Sequence, residues 1–189
     1  VHSLVYYENG IVTLDRTGFH QGEKGKVSAR LHYDTHSDVL RGTMDVENFD
    51  VGALLALGNQ KEDRVGGAMT SHIWVGGTRD NPSLGVTGEI AAGTVAGYPV
   101  TDAALDVSLS NHVLTIDRLT GKQGDGSFSA TGTVDFNGMM DVDVTANDIA
   151  LGLYTGLAGI DEPVSGTASV TAHVGGTAHR PVADVSLSA

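Results

Sequence analysis

With 189 residues and 40% apolar side chains, the chain has enough material for a packed core and is not a disordered polymer. Its net charge of −12 argues against nucleic-acid binding and against attraction to anionic lipid headgroups. The absence of Cys excludes disulfides, Cys-ligated zinc and thiol chemistry, and no apolar run approaches the roughly 20 residues of a spanning helix.

The chain begins without Met on VHSLVYY and stops on VADVSLSA, and it reads as an excised piece of a longer protein. Glu8-Asn9-Gly10 is a hairpin signal, because Asn-Gly accepts the positive φ that both central residues of a type I′ turn need. IVTLDR (Ile11–Arg16) and HQGEKGKVSARLHYD (His20–Asp34) are strand material. Asp50 can cap a short helix at about 50–58, which Gly58 ends. RVGGAMTSHIWVGGT (Arg64–Thr78) is a strand running into a Gly-Gly-Thr corner. Pro82 then opens a new strand, where its missing N–H is tolerated.

Strict alternation continues through the second half. Leu105, Val107 and Leu109 face away from Asp106, Ser108 and Ser110. Gly124-Asp125-Gly126 and Phe136-Asn137-Gly138 read as hairpin turns. Between them, Phe128, Ala130, Gly132, Val134 and Phe136 oppose Ser127, Ser129, Thr131, Thr133 and Asp135. Met140, Val142, Val144 and Ala146 oppose Asp141, Asp143 and Thr145. A second short helix, capped by Asn147 or Asp148, falls at about 148–158. Ala168, Val170, Ala172 and Val174 then oppose Thr167, Ser169, Thr171 and His173.

These segments repeat. IVTLDR matches VLTIDR (Val113–Arg118), and HQGEKGKVSARLHYD matches KQGDGSFSATGTVD (Lys122–Asp135). WVGGTRDNP (Trp74–Pro82) matches HVGGTAHRP (His173–Pro181). Order is kept at offsets of 99 to 102, so one unit of about 100 residues appears nearly twice. The first unit is drawn at 1–82, connecting strands at 83–111, the second unit at 112–181 and the start of a third at 182–189. Strands with one dry and one wet face belong to antiparallel sheets. The fold class is all-β, mainly antiparallel and largely a meander, with one short helix per repeat.

No chemistry stands out. His32 and His36 sit where a strand runs into a turn, and His72 and His173 fall on polar faces at nearly matching positions of the two copies. GKQGDGSF is read as a turn and not a calcium motif, since the calcium β-roll needs its motif in tandem. Asp141 and Asp143 share one strand face but read as solvated edge charges. Nucleophile elbow, HExxH and P-loop are absent. The expectation is a protein that is not an enzyme, with no catalytic residues, no metal and no cofactor.

PVSGTASVTAHVGGTAHRPVADVSLSA and LTIDRLTGKQGDGSFSATGTVDFNG resemble the recurring phrases of the TamB and AsmA-like proteins of diderm bacteria. The resemblance covers the chain from about Asn9 to Ala189. It implies an elongated sheet curled into an open U-shaped trough (a β-taco), lying in the periplasm in a protein anchored in the inner membrane. It implies a role in conducting phospholipid between inner and outer membranes, and in outer-membrane biogenesis. Expected partners are phospholipid acyl chains, neighbouring repeats of the same chain and an outer-membrane protein reached through other regions. The lipid-facing positions would be the dry-face set: Leu105, Val107, Leu109, Phe128, Ala130, Val134, Phe136, Met140, Val142, Val144, Ala168, Val170, Ala172 and Val174. The alternative is a structural or adhesive β repeat module of a bacterial cell-surface protein, whose dry faces would close into a filled core.

Overall fold

The computed structural model describes residues 2–23, 25–52, 65–95, 97–153, 165–177 and 180–188. They form twelve strands: β1 (His2–Glu8), β2 (Ile11–Gln21), β3 (Gly25–Asp34), β4 (Val39–Asp50), β5 (Val65–Gly77), β6 (Pro82–Val95), β7 (Tyr98–Ser110), β8 (Val113–Gln123), β9 (Gly126–Asp135), β10 (Met140–Ala150), β11 (Thr167–Thr177) and β12 (Arg180–Ser188). All twelve lie in one antiparallel sheet whose spatial order is the chain order. Alternating segments joined by short turns dictate this meander, because each strand pairs with the one just made. β1 and β12 stand at opposite ends of the order, so the sheet is not closed into a barrel. The all-β, mainly antiparallel class expected from alternation is the one adopted.

The turns follow local chemistry, not always as the dipeptides suggest. Asn9 and Gly10 take φ of 50° and 83°, as a type I′ turn requires. Asn111 and His112 do the same at 51° and 66°, with no Gly. Between β8 and β9 the turn pair is Gly124-Asp125, shifted by one from the expected Asp-Gly, and Gly124 carries the positive φ of 58°. Asn137-Gly138 does not form a type I′ turn. Asp135 organises that bend instead: its Oδ1 accepts Asn137 N at 2.8 Å and its carbonyl accepts Gly138 N at 3.1 Å. The Gly-Gly-Thr corner is the connection from β5 to β6 and from β11 to β12. Thr78 Oγ1 accepts Asn81 N, and Thr177 Oγ1 accepts Arg180 N, both at 3.2 Å.

The repeat is visible strand by strand, with β7–β12 reproducing β1–β6. Even the irregularities recur. The β2–β3 ladder slips between Leu14 and Thr17, and the β8–β9 ladder between Ile116 and Leu119. The β4–β5 ladder slips between Val46 and Phe49, and β10–β11 between Ala146 and Ile149. Asn48 and Asp148 occupy these last two bulges at φ of 47° and 52°. Thr70 Oγ1 and Ser169 Oγ accept their backbone N–H groups at 3.3 and 3.0 Å.

Register sorts the side chains into two faces. One row runs Ala29, Met44, Ile73, Val86, Val107, Ile116, Gly132, Val142, Val174, Ala183 across ten strands without a polar side chain. On the other face Ser28, Asp45, His72, Thr87, Asp106 and Arg118 stand in line. The apolar face is the inside of the curl. Two clusters are buried there: Val27, Val46 and Phe49 in the first unit, and Ala146, Ile149 and Leu153 in the second.

The chain is helical at residues 51–52 and 151–153, directly after β4 and β10. The remainder of the expected helices, within 53–64 and 154–164, lies outside the described residues. The second helical start folds onto the apolar face: Leu153 is buried, and Val95, Tyr98 and Phe128 pack on its cluster. Tyr98 lies so close over Gly152 that a Cβ there would meet its Oη at 1.7 Å. This contact joins the start of β7 to the helical start after β10, three strands away.

Candidate functional site

The curl encloses a concavity of about 390 Å³ between β6, β7, β8, β9 and β10. Its lining consists of Ile90, Val95, Val100, Ala103, Ala104, Leu105, Leu119, Thr120, Phe128, Val144, Ala146, Ile149 and Leu153, and its surface is apolar throughout. None of these residues is titratable, so the site can hold an apolar group by burial, at about 25 cal/mol per Å². It offers no charge to fix a head group.

Of the residues expected to face lipid, Leu105, Phe128 and Val144 line this cavity. Val107, Leu109, Ala130, Val134, Met140, Val142, Ala168, Val170, Ala172 and Val174 lie on the same face by register but outside the cavity. Phe136 departs from that set. β9 ends at Asp135, and Phe136 sits in the following turn, 48% exposed. Asp135, by making the bend, takes Phe136 out of the alternating run.

Several lining residues escaped the alternation pattern. Leu119 faces inward because the bulge after Ile116 resets the phase of β8. Val95 and Val100 flank the turn into β7, where period two breaks. Ile149 and Leu153 come from the strand-to-helix transition, whose inward course depends on Tyr98 across the sheet. The first unit lines the same face with Phe19, Val27, Leu31, Met44 and Val46, and the alternation in KVSARLHYD was the available signal.

The polar face carries pairs rather than a site. Lys26–Glu47 at 3.1 Å and Lys122–Asp102 at 3.0 Å are exposed bridges between neighbouring strands, each worth about 0.2–1 kcal/mol. His72 Nδ1 lies 2.6 Å from Asp45 Oδ1, and His173 Nδ1 lies 2.9 Å from Asp143 Oδ1. These two pairs are not equivalent. His72 and Asp45 are directly opposite, and His173 and Asp143 are too. The repeat, however, aligns His173 with Trp74, two residues further along the strand. The near match expected from sequence is therefore a like-facing pair in a different row.

Among the described residues, Asp141, Asp143 and His173 bring ligand atoms within 4.8 Å of one another, all of them exposed. The hydrogen bond to Asp143 foremost, with the charges of Asp143, Asp141 and Asp184, holds the His173 pKa above its ordinary 6.5. His32 and His36 do not join such a group. His32 meets Thr13 Oγ1 at 3.1 Å, and His36 sits beside Asp34. Among the described residues, Ser71 Oγ and Gln123 Nε2 are buried without a hydrogen-bond partner. No protein-family model, no curated protein and no solved structure matches the chain.

Proposed function

We propose that this chain is a segment of a periplasmic bridge-like protein of the TamB and AsmA-like kind, whose apolar groove conducts phospholipid acyl chains between inner and outer membranes. The reading needs no catalytic residue. The observation that carries it is an apolar row running across ten strands of a sheet that is not closed, with a wholly apolar concavity under the second helical start.

Water is a poor occupant for such a surface. Exposed apolar patches on soluble monomers rarely exceed a few hundred Å². Burying acyl chains contributes about 0.8 kcal/mol per CH₂. Rows that differ little from strand to strand present no strongly preferred stop, so a chain held by them is free to slide. The acidic outer face keeps the trough from adhering to anionic headgroups along the way.

The test is site-specific photo-crosslinking to phospholipid. A photoreactive side chain at Leu105, in the cavity and on the apolar face, should capture lipid, whereas one at Ser129, on the polar face, should not. Equal capture at both positions, or none at either, would refute the conduit. Absence of lipid together with a closed, melting-resistant apolar face would move the reading to a structural or adhesive module.

A further inference from the structure

We draw no further inference here: the strongest candidate, the cluster of Asp141, Asp143 and His173 on the outer, polar face of β10 and β11, is an exposed group of side chains already held together by its own hydrogen bond and ion pairs, and nothing else in the structure points to a ligand there.

Discussion

Gln123 Oε1 accepts the backbone N–H of Ala150 at 2.7 Å, and Gln21 Oε1 accepts that of Asp50 at 2.8 Å in the first unit. Each Gln closes a hairpin end on the apolar face and reaches the residue where a long strand gives way to a helical turn. Asp50 and Ala150 are the last residues of β4 and β10, opposite Ala68 and Thr167 of the next strands. Conserving the same bond in both units marks it as the pin that holds the helical start over the trough.

Replacing Gln123 with Ala should leave the Ala150 N–H buried without an acceptor. A loss of about 1–3 kcal/mol is expected, read as a lower midpoint in urea unfolding with unchanged slope. Gln21→Ala should cost less, because its bond to the exposed Asp50 N–H can be replaced by water. An unchanged midpoint in both variants would mean the side chains are incidental.

Gly152→Ala should disturb the curl itself, since the new Cβ would strike the Tyr98 hydroxyl. Overpacking of this kind costs about 1–3 kcal/mol. Tyr98→Ala in the same background should recover part of it. A clash without coupling, seen as additive losses in that double-mutant cycle, would contradict the contact.

Gly77 and Gly124 separate two reasons for Gly. At Gly77, φ is 86° and a Cβ would lie 2.2 Å from Asn81 O, whereas at Gly124 φ is 58° and nothing lies within 4 Å. Gly124→Ala should cost about 1–2 kcal/mol, the left-handed penalty alone. Gly77→Ala should cost more, measured by thermal unfolding of the two variants side by side.

These positions show what the amino-acid pattern can and cannot convey. Period two places residues such as Val142 and Val174 on one face, because pleating is local and obligatory. The Gly-Gly-Thr phrase announces a connection because its φ and its Thr cap are local too. Bulges are the first failure: the extra residues at Asn48 and Asp148 shift the face without a strong sequence mark, and so does the slip before Leu119. The second is curl. Tyr98 meets Gly152 only because the sheet bends over three strands, and no spacing encodes that distance. The pairing of His173 with Asp143 was equally hidden, since it depends on the register of β10 against β11.

His173 gives a pH prediction. Its folded pKa is raised above 6.5, so the folded state favours the imidazolium. The stabilisation is fully present below about 6.5, the unfolded value, and is lost as pH rises through the elevated folded value. An NMR titration of the His173 ring should give a midpoint above the ordinary one. Asp143→Asn should bring it back down; a midpoint that does not move would mean the 2.9 Å bond is not populated.

Filling the concavity should separate binding from folding. Ala103→Leu adds apolar volume to a site of about 390 Å³ that has room for it. Stability should be unchanged or higher, while uptake of a fluorescent fatty-acid probe falls. Unaltered uptake would place the probe elsewhere on the face.

The most direct measurement is native mass spectrometry of the purified chain, with lipid extraction of the same sample. Phospholipid should travel with the protein and be lost in Val144→Asp, which puts a carboxylate on the cavity wall, but be retained in the polar-face control Ser129→Asp. A lipid-free mass that also takes up no fatty-acid probe would contradict the conduit and leave a sheet whose apolar face is closed on itself.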